Sequence, residues 1–173
     1  MQTPTTDEPQ PEPKEGSEAR LRLVLANLAV QLQAHYDLLQ TACDMAVSPA
    51  MMPAARYVSG LAKGAMAAAE ALMDVALVTG DAIKLPVIQQ PPRLPKRALD
   101  PSPLLHALVA VRHIECTRDF SELALFCHAG GAHSDLAPLV SQLQAHQQQS
   151  RSDLDGHIAN LEQSVLAALD PPC

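Results

Sequence analysis

The sequence predicts an all-α protein: a four-helix bundle over residues 17–170, built from two helical hairpins and preceded by a disordered tail over 1–16. Four segments repeat apolar residues at steps of three or four, which places them on one face of a helix. Aromatic residues make up only 2% of the chain, whereas sheets draw on aromatic and β-branched side chains. The tail is rich in Pro, Glu, Gln and Thr and offers little to bury, so we expect it to be disordered.

The first hairpin is predicted from two periodic segments with a short connection. The first helix is expected over about 17–47, because Ser48-Pro49 disfavours helical backbone at that point. The second helix is expected over about 53–80, with Gly80 at its end. Short connections make antiparallel neighbours, so these two helices should pack side by side.

Small residues form a ridge on the second predicted helix. Gly60, Gly64 and Ala68 are four residues apart, which would let another backbone approach closely. We expect a tight helix crossing there; the alternative is a flat wall for a ligand or a partner helix. Lys63 and Glu70 exclude a membrane setting for this ridge.

A proline-rich connection over 83–103 separates the two hairpins. It is long enough to cross from one end of the bundle to the other, which leaves open whether the second and third helices are parallel or antiparallel. Pro92, Pro95 and Arg97 also fit the pattern that SH3-type grooves bind. We expect a plain crossover, with a peptide-ligand role as the alternative.

The second hairpin is predicted from the remaining two segments. The third helix is expected over about 103–129, and Gly130-Gly131 ends it. The fourth helix is expected over about 134–169, a rod of roughly 50 Å at 1.5 Å per residue. The two hairpins together make the four-helix bundle.

Composition limits the function. The net charge of -7 opposes binding to nucleic-acid phosphates, so no nucleic-acid partner is expected. The sequence has neither a signal-peptide pattern nor an uncharged apolar run of 18 residues, so we expect no membrane contact and a cytoplasmic location. In that compartment the cysteines Cys43, Cys116, Cys127 and Cys173 are expected to be free thiols.

Catalytic motifs are lacking. The sequence has no P-loop, dinucleotide-binding glycine pattern, H-E-x-x-H or G-x-S-x-G. A ferritin-like di-iron site requires a glutamate three residues before a histidine, and no glutamate here meets that condition. We therefore assign no catalytic residue and expect no cofactor, so cofactor-binding residues stay unknown.

The densest group of metal-ligand residue types lies at the turn between the third and fourth helices. Cys127, His128, His133 and Asp135 are plausible zinc or copper ligands. Each also has an ordinary structural role, in the apolar stripe or near a helix end, and C-x-x-C spacing is missing. We therefore favour no metal site here, with this group as the candidate ligand set.

Two histidines interrupt otherwise apolar helix faces. His35, His146 and Ser150 predict a buried polar layer that fixes helix register. The alternatives are a ligand pocket, an axial pair for a haem or metal, and a bend that faces solvent. Asp153 and His157, four residues apart, are expected to pair through charge, with metal binding as the alternative.

The fourth predicted helix carries more apolar surface than the shorter helices should cover. Leu154, Ile158, Leu161 and Val165 continue its stripe past the polar layer, which predicts a two-fold symmetric homodimer joined there. The alternative cover is the proline-rich crossover.

The predicted function is a non-enzymatic cytoplasmic interaction or assembly module with an unidentified protein partner. The alternative is a bundle that binds a metal or a small ligand. An enzyme that uses His35 or His146 as acid or base is a third possibility, for which the sequence supplies no orienting partner.

Overall fold

The structure of the chain is a computed structural model, and it describes residues 14–78, 87–89, 103–129 and 134–169. Every regular element in these ranges is helical, which confirms the all-α prediction. The helices are α1 (Lys14–Ala46), α2 (Met52–Val78), α3 (Pro103–Thr117), α4 (Ser121–Ala129) and α5 (Ala137–Leu169), with a 3₁₀ turn at Pro49–Met51. Among the described helices, none combines the length and the apolar character that crossing a membrane requires. The cytoplasmic location stays a prediction.

Three of the four predicted helices lie within a few residues of their expected bounds. The helix α1 begins at Lys14, so the last three residues of the predicted tail are helical; the residues before Lys14 lie outside the described part. Lys and Glu are good helix formers, which favours this extra turn. The expected break at Ser48-Pro49 is present: the Ser48 amide donates to the Met45 carbonyl at 3.1 Å, and Pro49 opens the 3₁₀ turn.

The prediction of one continuous helix over 103–129 is wrong, because the chain breaks between α3 and α4 at residues 118–120. The Thr117 hydroxyl donates to a carbonyl of its own last turn at 2.7 Å, which competes with helix continuation. The Asp119 carboxylate then accepts from the Ser121 amide at 3.0 Å and the Ser121 hydroxyl at 2.7 Å, an Asx turn that starts α4. Side-chain hydrogen bonds thus end one helix and start the next here, a role that glycine or proline plays at many other helix ends.

The buried apolar side chains form two clusters, one toward each end of the helices. The first core cluster contains Ala34, Leu38, Ala42, Met45, Ala55, Val58, Leu61, Ala62, Ala65, Ala107, Leu108, Val111, Leu154 and Ile158. The second core cluster contains Val24, Leu28, Ala68, Ala69, Leu72, Ala76, Phe120, Leu123, Cys127, Leu136 and Val140.

The membership of these clusters fixes the direction of each helix. The helices α1 and α5 run from the second core cluster to the first, whereas α2 and the α3–α4 pair run from the first to the second. The helices α2 and α3 therefore point the same way, which settles the question that the sequence left open. The connection between them therefore starts and finishes at opposite ends of the helices.

A short described piece of that connection is attached to α1. The side chain of Gln33 accepts from the Gln89 amide and donates to the Gln89 carbonyl, both at 2.8 Å. The same Gln33 amide also donates to Asp37 at 2.8 Å. Residues 87–89 are exposed and are held by backbone contacts to one side chain. The SH3-type pattern at 92–97 lies outside the described residues.

The small-residue ridge of α2 does not form the predicted tight helix crossing along its length. Gly60 is exposed, and a Cβ atom built on it would meet nothing within 4 Å. A Cβ atom on Gly64 would lie 3.1 Å from Cε1 of His146, so a side chain of α5, and not its backbone, uses the space. Ala68, the third member of the ridge, is buried in the second core cluster.

Candidate functional site

The residues of the candidate metal group are each engaged elsewhere where the structure describes them. Cys127 is buried, and burial raises the pKa of its thiol, with the charge of Asp135 raising it further and that of Arg20 lowering it. Nδ1 of His128 lies 2.6 Å from the carbonyl of Ala124 in its own helix. Asp135 accepts two hydrogen bonds from Arg20, at 2.8 and 3.3 Å.

These engagements leave little for a metal ion to bind. A thiol with a raised pKa is a poor source of the thiolate that zinc requires. Within the described ranges, no three His, Cys, Asp or Glu side chains converge on a point that could hold a metal. His133 lies outside those ranges, so the absence of a metal stays a prediction.

A buried polar layer exists, but the prediction is wrong for one of its members, His146. His146 is exposed, because its ring lies on the surface over Gly64. His35 is half-buried, with Nδ1 2.8 Å from the Ala62 carbonyl; since a carbonyl can only accept, this contact places the ring proton on Nδ1. Ser150 is buried as predicted, and its hydroxyl donates to the His146 carbonyl at 3.0 Å.

The observed layer separates the two core clusters, and we call it the polar waist. It consists of Gln31 from α1, Glu115 from α3, Arg118 directly after α3, and Gln147 and Ser150 from α5. These residues are all buried.

Arg118 is the centre of the polar waist. It is only 2% exposed, and Glu115 is fully buried. The guanidinium donates to Glu115 Oε1 at 2.7 Å and to Gln31 Oε1 at 2.8 Å. Glu115 Oε2 and Gln31 Nε2 are buried with no hydrogen-bond partner among the described residues. A buried ion pair of this kind compensates its own desolvation and adds little net stability, but either partner left alone is costly.

Arg151 on α5 completes the end of α3. Its guanidinium donates to the carbonyls of Glu115, at 2.9 and 3.1 Å, and of Cys116 and Arg118, both at 3.2 Å. Gln147 adds a donor to the Glu115 carbonyl at 3.2 Å. The last carbonyls of a helix have no partner in the helix itself, so α5 supplies what α3 lacks. The hydrogen bonds of Arg118 and Arg151 therefore stabilise the fold.

The accessible site is a groove at the end of the molecule where α2, α3 and α5 meet, with a volume of about 400 Å³. We call it the end groove. It is lined by Pro53, Ala54 and Tyr57 of α2, Leu104 and Leu108 of α3, and His157, Asn160, Leu161 and Ser164 of α5. The lining is mostly apolar, and its polar groups lie along one face of α5 at helical spacing.

Tyr57 and His157 form the aromatic wall of the end groove. Their ring centroids are 4.8 Å apart and the ring planes make an angle of 72°, an edge-to-face contact. The Tyr57 hydroxyl is buried and has no hydrogen-bond partner among the described residues. Its pKa is raised, first by burial and then by the negative charges of Asp153 and Glu115, so the phenol keeps its proton.

The predicted pairing of Asp153 with His157 is wrong. Asp153 accepts instead from the Gln149 side chain at 2.7 Å, and His157 packs on Tyr57. The ring of His157 thus contacts Tyr57 of another helix and does not pair with Asp153. An exposed charge pair on one helix contributes only a few tenths of a kcal/mol.

The four residues predicted to join a dimer fall into two groups. Leu154 is 0% exposed and Ile158 is 4% exposed, because both pack in the first core cluster. They are unavailable to a second copy, which corrects that part of the prediction. Leu161 is half-buried in the wall of the end groove, and Val165 is half-buried one turn further along α5.

The end groove was missed from the sequence because three separate segments build it. One signal was present: His157, Asn160, Leu161 and Ser164 recur at steps of three and four, a stripe beside the core-facing one.

A comparison of the sequence with models of protein families and with curated proteins finds no match.

Proposed function

We propose that this protein is a non-enzymatic interaction module, a helical bundle that acts by binding at the end groove. The single observation that carries the proposal is an apolar groove of about 400 Å³ between three helices. Pockets between the helices of bundles are common binding sites, and apolar surface is what partners bury.

We propose a four-helix bundle arrangement in which α3 and α4 act as one broken rod. In support, each core cluster combines side chains from α1, α2, α5 and one member of the α3–α4 pair. The polar waist lies between the clusters, at the point where the rod breaks. The end groove lies where the start of α2, the start of α3 and the C-terminal half of α5 come together.

A non-enzymatic role is supported by the state of the buried charges. Arg118 donates to Glu115 and Gln31, and Arg151 donates to backbone carbonyls, so neither cation lines the end groove. The groove itself has one histidine, His157, and it packs on an aromatic ring. General acid–base chemistry needs a group within hydrogen-bond reach of a substrate and a partner that orients it.

We further propose that the partner at this end is a second copy of the chain, joined through Leu161 and Val165 in place of the four residues expected from the sequence. Sedimentation velocity tests this. The parent protein should sediment as a dimer, and Leu161→Glu should convert it to a folded monomer because the new carboxylate would be buried in an apolar interface.

The control is Leu125→Glu, on α4, where the parent side chain is 70% exposed and lies outside the end groove. It should leave the dimer intact. A monomeric parent, or equal effects of the two substitutions, would refute assembly through this surface.

A second candidate function is the binding of a small ligand. The observation that favours it is the volume of the end groove, which falls in the range of about 300–1,000 Å³ that small-molecule sites occupy. For the metal-binding form of this alternative, the described residues offer no supporting group.

A further inference from the structure

We infer that the outer face of α1 is a docking surface for the chain's own proline-rich connection, and that Arg93 of the connection pairs there with Asp44. The kind of occupant that this face accepts is an extended, basic peptide segment. The inference does not rest on the proposed function, because α1 contributes no side chain to the end groove.

The docking surface is a row of polar side chains on α1, and we call it the outer row. It consists of Gln33, Asp37, Gln40 and Asp44, which recur at steps of four, three and four and so share one face of the helix. Gln33 donates to the Asp37 carboxylate at 2.8 Å, and Gln40 donates to the Asp44 carboxylate at 3.1 Å. None of the four belongs to either core cluster, and Asp44 is exposed. The outer row therefore presents two carboxylates on the outside of α1.

A piece of the connection already lies on the first residue of the outer row. The Gln33 carboxamide accepts from the Gln89 amide and donates to the Gln89 carbonyl, as a neighbouring strand would bind an extended backbone. Burial raises the pKa of Asp37, while the hydrogen bond from Gln33 lowers it, so the row is partly covered at this point. The face thus binds peptide backbone in this molecule.

The ends of the connection fix the direction in which it continues. The last turns of α2 pack in the second core cluster, and the first turns of α3 pack in the first. The helix α1 also runs from the second cluster to the first. Beyond Gln89 the chain therefore has to advance in the same direction as α1, from Gln33 toward Asp44.

The lengths of helix and extended chain give the register. Asp44 lies eleven residues beyond Gln33, which is about 16 Å at 1.5 Å per residue. Arg93 lies four residues beyond Gln89, which is about 13 Å for an extended chain. The long arginine side chain spans the remainder, so the guanidinium of Arg93 reaches the Asp44 carboxylate.

The charges of the two partners are complementary. Residues 90–99 contain Arg93, Lys96 and Arg97 and no Asp or Glu, although the whole chain has a net charge of -7. A cation held within a few Å of a surface carboxylate is attracted to it. Lys96 and Arg97 are at least three residues further along the chain, about 10 Å for an extended backbone, so Arg93 is the cation that matches Asp44.

Limited proteolysis of the full-length protein tests the docking. Trypsin cleaves after Arg97 only when the connection leaves α1, so the rate at that bond, followed by mass spectrometry, reports the undocked fraction. Asp44→Arg should raise this rate about two- to fivefold, because the carboxylate that holds Arg93 is replaced by a repelling charge. Gln33→Ala should raise it about fivefold or more, since two hydrogen bonds to Gln89 are lost.

The matched control is Asp74→Arg, which makes the same change in net charge at an exposed carboxylate of α2. Asp74 lies between Leu72 and Ala76 of the second core cluster, at the opposite end of the helices from Asp44. The rate after Arg97 should stay at the parent value, and circular dichroism checks that every variant is folded.

A charge-reversal cycle tests the named pair. Arg93→Glu alone should raise the rate as Asp44→Arg does, whereas the double variant Asp44→Arg/Arg93→Glu restores the attraction and should return the rate to within about twofold of the parent. If Asp44→Arg behaves like Asp74→Arg, or if Gln33→Ala leaves the rate unchanged, the docking is wrong. A double variant cleaved as fast as the single variants would overturn the pairing of Arg93 with Asp44.

Discussion

Replacing Arg118 by methionine should destabilise the protein far more than the loss of a surface charge. The parent side chain is 2% exposed and donates to Glu115 and to Gln31. Methionine fills similar space without a charge, so the Glu115 carboxylate would remain buried with no partner. Removing one member of a buried ion pair costs about 3–5 kcal/mol. For a chain of this length, that corresponds to a melting temperature lower by roughly 6–20 °C.

The double variant Arg118→Met/Glu115→Leu separates the lost pair from lost packing. With both charges gone, only the Gln31 side chain loses a partner, at a cost of about 1–3 kcal/mol. We therefore expect the double variant to recover about 2 kcal/mol or more relative to Arg118→Met. The backbone carbonyl of Glu115, which Arg151 and Gln147 bind, is unaffected by either change.

Urea unfolding followed by circular dichroism measures these differences. Arg112→Met is the matched control, because Arg112 pairs with Asp155 at 3.2 Å with both side chains more than half exposed. Such surface pairs contribute only about 0–1 kcal/mol. The reasoning fails if Arg118→Met is no worse than Arg112→Met, or if the double variant is no more stable than Arg118→Met.

Three further predictions concern single positions. Gly60→Ala should raise the unfolding free energy by about 0.5–1 kcal/mol in the same urea experiment, since the added methyl meets nothing and alanine favours helix. Gln33→Ala should speed hydrogen exchange at the Gln89 amide, which would lose its acceptor; an unchanged rate would refute the attachment. Hydrogen bonds from Ser121 lower the pKa of Asp119 below its ordinary value of 3.8 in the folded protein. The ionised carboxylate therefore adds to the free energy of unfolding above pH 3.8, and this contribution is lost as the pH falls through the folded-state pKa. Asp119→Ala should flatten the acid limb of a stability-versus-pH curve.

The ends of helices were predictable where residues next to them in the sequence restrict the backbone. Ser48-Pro49 restricts the backbone by itself, and the first helix ends within a residue of the expected point. The break at 118–120 has no such signal, because neither glycine nor proline occurs there. Its local hydrogen bonds come from Thr117 and Asp119, and Arg118 adds a contact to Gln31, a residue 87 positions earlier in the chain. Sequence periodicity does not contain that contact.

The polar layer shows that an error of one residue is enough to place the buried face of a helix wrongly. The expected face passed through His146, whereas the buried one passes through Gln147, and successive residues differ by about 100° around the helix. Steps of seven from Val140 lead through Gln147 to Leu154, and all three are buried. That series was readable in the sequence. The end groove was not, since its walls come from helices whose relative placement the sequence left open.

The contact of Arg151 with the end of α3 also bears on the order in which the chain folds. The helices α3 and α4 have 15 and 9 residues, lengths at which an isolated helix is marginal in water. During synthesis α3 and α4 leave the ribosome before Arg151, whose guanidinium binds the last carbonyls of α3. The α1–α2 hairpin can form from neighbouring segments alone, whereas α3 and α4 should become stable only once the middle of α5 has been made. Newly made chains therefore pass through a stage in which the first hairpin exposes apolar surface that α3, α4 and α5 will later cover.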